Sequence, residues 1–246
     1  MDLVKLGSET AKAGFQNETD VMERFNNWEK DEVSQKWLSI MGYKIEEIEY
    51  VKAVKIKGSF KADVQIQVSI KLKDAIDCQN IQVKLVSNPK GYNQIDKRWI
   101  KKYVELWEIP SDISDILKLY TGENLPYTEN PRDKRRMFAD ELSEQEQQKI
   151  LDFLNSNKTL ILTDILKGRG KFAAEWMLVI LKTDDEKWIL KPINYVLNFF
   201  AKGEIIITKR GNFRIGKITM QRKGGDGGRK TAQMLQFKVN PAELFE

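Results

Sequence analysis

With 246 residues, 41% of them hydrophobic and 31% charged, the chain can bury a sizeable core, which excludes a disordered or fibrous polypeptide. The 41 Lys and Arg outnumber the 36 Asp and Glu, and the net charge of +5 favours a polyanionic partner without requiring one. Histidine is absent and Cys78 is the one cysteine, so histidine-based triads, histidine- or thiolate-ligated zinc and intrachain disulfides are all excluded. Hydrolytic chemistry is left to carboxylates, amides, lysines and a hard cation such as Mg²⁺. No apolar run suits a signal peptide or a membrane span, so a cytoplasmic protein with no membrane partner is expected.

In chain order, the stripe Ala11, Phe15, Val21, Met22 and Phe25 predicts a helix over about 9–28, with Glu18, Asp20 and Glu23 on or beside it. A second helix is expected over 31–41, stopped by Gly42. A strand over 50–56 leads through Gly58 to the most informative stretch. There Ala62, Val64, Ile66 and Val68 alternate with Asp63, Gln65, Gln67 and Ser69, and later Ile81, Val83 and Leu85 alternate with Gln82 and Lys84. Period-two alternation marks half-buried strands, with Asp63, Gln82 and Lys84 on their polar faces. A carboxylate, an oxygen ligand and a lysine meeting at a sheet edge is what a metal-assisted phosphodiesterase needs; two ordinary strands with a solvated face fit the pattern equally.

The turn-rich loop 87–93 carries Lys90 and Tyr92, and Asn93 is expected to cap a helix over 94–108. Residues 120–139 read as irregular, with the basic run Arg132, Lys134, Arg135 and Arg136. Ser143 and Glu146 form a capping box for a helix to about 154. The apolar runs 160–162 and 177–181 read as buried strands around a basic loop, 167–171, that includes Arg169. A helix over 192–200 and a strand over 204–208 follow. Finally, strand-like pieces 218–221 and 234–239 flank a glycine-rich basic segment, where Gln221, Arg222, Lys223 and Arg229 suit phosphates and guanine edges. This segment lacks the Gly-Lys-Ser/Thr ending of a nucleotide-binding P-loop, and a plain surface hairpin is the alternative. With no repeat and no linker, one domain over 1–246 is expected. Its catalytic core would span about 9–110, and a basic C-terminal extension of the sheet, over about 158–240, would read DNA.

Asp63 followed by Gln82-Val83-Lys84 resembles the motif of the PD-(D/E)xK nucleases, most closely the small type II restriction endonucleases of the HinP type, which cut GCGC. The resemblance covers nearly the whole chain. It takes in Gln82-Val83-Lys84-Leu85-Val86-Ser87-Asn88, Asp133-Lys134-Arg135-Arg136-Met137-Phe138, Phe172-Ala173-Ala174-Glu175-Trp176 and Gln221-Arg222-Lys223-Gly224-Gly225-Asp226. Ala62 stands where proline often precedes the aspartate, and Gln82 replaces the usual second acidic ligand.

The resemblance implies a mixed α+β fold, a central mixed sheet flanked by helices. It also implies Mg²⁺-dependent hydrolysis of duplex DNA at a short GC-rich palindrome, leaving 5′-phosphate ends. Asp63, Gln82 and the Val83 carbonyl would ligate the metal, Glu18 could add a carboxylate, and Lys84 would serve the attacking water. Tyr92, Asn93, Gln94, Lys97 and Arg169 would contact DNA, together with Gln221, Arg222, Lys223, Asp226, Arg229 and Lys230. A cognate methyltransferase in the same host is implied, with the enzyme acting as a monomer or homodimer. A repair or junction nuclease of the same fold, or a non-catalytic DNA-binding protein, are the competing readings.

Overall fold

A computed structural model describes residues 3–56, 65–183 and 185–246. Ala62, Asp63 and Val64, and the side chain of Asp226, lie outside what it describes. The chain divides into two compact units interleaved in sequence: Met1–Asn93, Leu166–Val196 and Asn240–Glu246 in one, Gln94–Ile165 and Leu197–Val239 in the other.

The first unit opens with α1 (Leu3–Asn26) and α2 (Glu32–Ile40). Asp31 caps α2 by accepting from the Ser34 N–H at 2.7 Å, which satisfies one of the orphan donors of the first turn. A five-stranded sheet follows in the order β1 (Ile48–Ile56), β2 (Gln65–Leu72), β3 (Ala75–Val86), β5 (Trp176–Leu181), β6 (Lys187–Pro192). All pairs are antiparallel except β3 with β5, so the sheet is mixed, as expected. On its core side, Ile66, Val68 and Ile70 of β2 and Ile81 and Val83 of β3 pack with Val21 and Phe25 of α1 and Trp37 and Leu38 of α2. Phe25 and Trp37 meet at 5.2 Å, and Trp188 closes edge-on to Trp37 at 5.7 Å. Asn26 at the end of α1 binds both backbone groups of Ala53, accepting from its N–H at 2.7 Å and donating to its carbonyl at 3.1 Å. The open edge of β1 is thereby partly closed, a common way of blunting an edge strand.

The second unit holds its own sheet, in the order β4 (Asn93–Arg98), β10 (Leu235–Val239), β9 (Ile218–Arg222), β8 (Phe213–Ile215), β7 (Ile205–Ile207). The C-terminal strands therefore form a separate sheet, not an extension of the first. Helices α3 (Ile100–Trp107), α4 (Ser111–Thr121), α5 (Glu144–Ser156) and α6 (Lys158–Leu166) precede β5, and α7 (Ile193–Ala201) follows β6. Tyr103 stacks on Trp107 at 4.5 Å, and Phe237 sits edge-on to both. The capping box of Ser143 and Glu146 at α5 is present as expected.

Two further expectations are corrected. Asn93 begins strand β4 and does not cap a helix over 94–108; the helix starts at Ile100. The strand sends Ile95 into the core and pairs with β10 from far along the chain, tertiary pairing that overrides the helical spacing, while buried Asp96 takes Arg98 at 3.0 Å and the Tyr103 hydroxyl at 2.6 Å. The run 160–162 lies in α6, where Ile161, Leu162, Ile165 and Leu166 are buried at helical spacing. Short apolar runs do not separate a buried strand from a buried helix. Helix α4 and strands β6 and β8 had no clear sequence signal.

Candidate active site and nucleic-acid interface

Strand β3 lies at the centre of its sheet, antiparallel to β2 and parallel to β5. Gln65 is opposite Gln82, and on the other side Gln82 and Lys84 are opposite Met177 and Val179. Alternation had suggested a solvated polar face. Instead Gln82 is 0% exposed and Lys84 5%, beside fully buried Met177 and Val179. This burial excludes the reading as an ordinary solvated face, since an ammonium and an amide withdrawn from water must be paired or hydrogen-bonded.

Glu18 is buried at 8% exposure on α1, whereas Glu23 is exposed. Lys55 ties α1 to the end of β1: its Nζ donates to the Phe15 carbonyl at 2.8 Å and the Thr19 hydroxyl at 2.7 Å, with Glu18 Oε2 at 3.9 Å. Lys55 is opposite Ile66, the neighbour of Gln65, which in turn faces Gln82. Of the two N-terminal acids, Glu18 is the one that is buried, beside Lys55 at the end of β1. Among the described residues no three Asp, Glu, His or Cys side chains gather as a metal site. Asp63, the expected carboxylate ligand, lies outside the described residues; oxygen donors are the type a hard divalent cation takes.

Asn80, two residues before Gln82, carries a role that no sequence signal marked. Its N–H donates to Glu175 at 2.8 Å, its Nδ2 to the carbonyls of Lys171 at 3.0 Å and Ala173 at 3.1 Å, and its Oδ1 accepts from Gln67 at 3.2 Å. These bonds fasten the basic loop that exposes Arg169 to the strand of Gln82 and Lys84. Beyond β3, Gly91 donates to the Asn88 carbonyl at 2.7 Å, and a Cβ at Gly91 would meet that same oxygen at 2.9 Å, so glycine is required. Asn240 donates to the Pro89 carbonyl at 2.8 Å and Asn93 to that of Leu85 at 2.9 Å. The loop so held presents Tyr92 at 54% exposure.

In the second unit, β9 and β10 form the expected antiparallel pair, Gln221 opposite Gln236, and the ladder continues through the Lys223 and Gly224 N–H groups. Gly224, Gly225, Gly227 and Gly228 all have φ between 59° and 82°. Nothing crowds a Cβ at Gly224, Gly225 or Gly228, so these glycines serve the left-handed turn and not a close approach. Arg229 and Lys230 are exposed, Gln221 and Lys223 half-buried. Arg222 is different: its side chain is only 9% exposed and leans on Asp133. Gln94 and Lys97 lie half-buried on β4.

The architecture is that of a restriction endonuclease. The crystal structure of restriction endonuclease MspI in complex with its cognate DNA matches at a TM-score of 0.64, over 97% of this chain and 93% of that one, at 15% sequence identity. No curated protein sequence matches the chain. A family model described as R.HinP1I restriction endonuclease matches residues 41–245, and the chain belongs to that family. It is a type II site-specific deoxyribonuclease.

Proposed function

We propose that the enzyme hydrolyses phosphodiester bonds of duplex DNA within a short GC-rich palindrome of the GCGC kind, using Mg²⁺ and leaving 5′-phosphate ends. Restriction endonucleases generally use a divalent metal ion, and the choice of Mg²⁺ rests on the oxygen donor set and on the absence of histidine. The observation that carries the assignment is the burial of Gln82 and Lys84 side by side on a central strand.

In this reading Asp63, the Gln82 side-chain oxygen and the Val83 carbonyl hold the cation, with Glu18 as a further carboxylate. When bound, the cation supplies Lewis-acid polarisation of the scissile phosphate and an acidified water. Lys84 orients that water and offsets the negative charge that builds on the pentacovalent phosphorus; its buried setting strengthens the interaction. The first unit would thus cut, helped on DNA by Tyr92, Asn93 and Arg169. The second would bind and read through Gln94 and Lys97 and through Gln221 to Lys230. No helix among the described residues is long and apolar enough to cross a membrane. A cytoplasmic enzyme, monomer or homodimer, working beside a cognate methyltransferase, completes the proposal.

Digestion of plasmid DNA in Mg²⁺, with sequencing of the ends, tests it. Discrete fragments with a common GC-rich end sequence support the reading. Cuts confined to junctions or damaged duplex, or binding without cleavage, would sink it.

A further inference from the structure

The basic run 132–136 joins the C-terminal hairpin in an arrangement that sequence separation concealed. Asp133 and Arg136 form an isolated bridge, and three guanidiniums surround the Asp133 carboxylate. Arg135 takes both of its oxygens, Nε to Oδ1 at 2.8 Å and Nη2 to Oδ2 at 2.9 Å. Arg136 and Arg222 approach Oδ2 only to 3.9 and 3.8 Å, beyond hydrogen-bonding range. Yet their side chains are just 14% and 9% exposed. Nε and Nη1 of Arg136, and Nε of Arg222, are buried without a hydrogen-bond partner among the described residues.

Arg136 lies over the Phe138 ring, its guanidinium carbon 3.8 Å from the centroid, with Tyr120 at 5.9 Å. Arg132, on Phe138 at 4.3 Å, is by contrast neutralised by Asp140 and Glu141. Burial first, and then positive neighbours, push the pKa values of Arg136 and Arg222 down, yet a guanidinium stays charged at any physiological pH. Three guanidiniums thus share the single charge of Asp133, whose oxygens Arg135 already takes, and Arg136 and Arg222 keep unsatisfied donors.

We propose that Arg136 and Arg222, gathered by Asp133, form a receptor for one backbone phosphate of duplex DNA. The inference rests on the nuclease reading and adds Arg136 and Asp133 to its DNA-contacting residues. A phosphate supplies what three guanidiniums around one carboxylate still lack: a further negative charge and several strong acceptor oxygens. A guanine edge offers two neutral acceptors and leaves the repulsion between the arginines in place. Phosphate is thus the better partner for Arg222 than the guanine expected from its loop.

The test is equilibrium binding of a labelled random-sequence duplex in EDTA, across a KCl series. It compares the wild type with Arg136→Gln, Arg222→Gln and Arg136→Lys. Each Gln variant should lower the slope of log K against log[salt] by about 0.9, and weaken binding roughly tenfold, without a loss of thermal stability. Arg136→Lys, which keeps the charge, should keep the slope. An unchanged slope with a lowered Tm would make these arginines structural and overturn the proposal. Millimolar inorganic phosphate that stabilises the wild type but not Arg136→Gln at matched ionic strength, with slopes unchanged, would overturn the DNA source in favour of a free anion. A failure of the nuclease reading is seen separately, in a wild type that neither binds nor cuts.

Discussion

Gln65 pairs with Gln82 across the β2–β3 ladder, and Asp63 stands two residues before Gln65 in the chain. Lys84 lies two residues beyond Gln82 on the same buried face. Asp63→Ala and Lys84→Ala are each expected to reduce cleavage at least about hundredfold while binding of duplex DNA changes little, because each charge acts on the reacting phosphate. Single-turnover cleavage beside an equilibrium binding curve checks this. Near wild-type cutting by either variant means that the catalytic face is elsewhere.

Gln82→Glu puts a carboxylate at a position with no solvent exposure. Desolvation penalises the ionised form, so in EDTA the variant should melt lower than the wild type. Bound Mg²⁺ restores the lost charge balance and should raise its Tm more than it raises the wild type's. Cleavage is expected to persist, since glutamate has similar reach and a harder oxygen. A folded, Mg²⁺-saturated variant that does not cut would show that the amide's N–H donors are needed.

Much of this was legible in the sequence, and the limits have physical causes. Alternation located β2 and β3 and the residues on them, because one face had to be apolar whichever element covered it. It could not show that the Gln82–Lys84 face is also buried, since alternation records which residues share a face and not what packs against it. Local spacing also failed at 94–98, where the segment pairs with β10 from far along the chain. The loop 222–231 was recognised by its glycines. Its link to the basic run at Asp133 was not, because a contact between residues so far apart leaves no mark on either segment.

Asn80 is 6% exposed and satisfies partners on β2, on Glu175 and on the loop bearing Arg169. Asn80→Ala keeps the backbone bond to Glu175 but removes the side-chain bonds to the partly buried carbonyls of Lys171 and Ala173, at a cost of about 1–3 kcal/mol. For a chain of this size that corresponds to a fall in Tm of roughly 2–4 °C per kcal/mol. DNA affinity should fall as well, since the loop loses its anchor. A melting curve and a binding curve on the same variant decide it; lowered stability with full affinity would mean that Arg169 does not meet DNA.

Acid sensitivity should involve Tyr43 and Asp77. The Tyr43 hydroxyl donates to Asp77, Gln79 donates to both, and Trp176 Nε1 donates to Gln79 at 2.7 Å. The hydrogen bond from Tyr43 is the main cause holding the Asp77 carboxyl below its ordinary 3.8. A carboxyl depressed on folding contributes stability above its unfolded pKa and loses it as pH falls through the folded value. Tyr43→Phe should therefore melt lower than the wild type at neutral pH, with the gap closing below about pH 4. A gap constant from pH 7 down to pH 2.5 would show that Tyr43 acts only through packing.

Reading and holding DNA should separate between Gln221 and Lys230. Gln221 is half-buried at the end of β9, fixed by its pairing with Gln236, and its uncharged amide can donate to base-edge acceptors. Lys230 is exposed just past the glycine turn and offers a point charge. Losing a base-edge contact costs about 1–3 kcal/mol of discrimination and releases no counterion, whereas losing a phosphate contact lowers the salt slope by about 0.9. Gln221→Ala should thus reduce cognate affinity roughly 5- to 100-fold more than random affinity, with the slope unchanged. Lys230→Ala should weaken both alike and flatten the slope. Salt titrations on a cognate and a scrambled duplex measure both quantities in one series. If Gln221→Ala weakened the two duplexes equally, the hairpin would serve only as a grip, and the bases would be read from the segment Tyr92, Asn93 and Gln94.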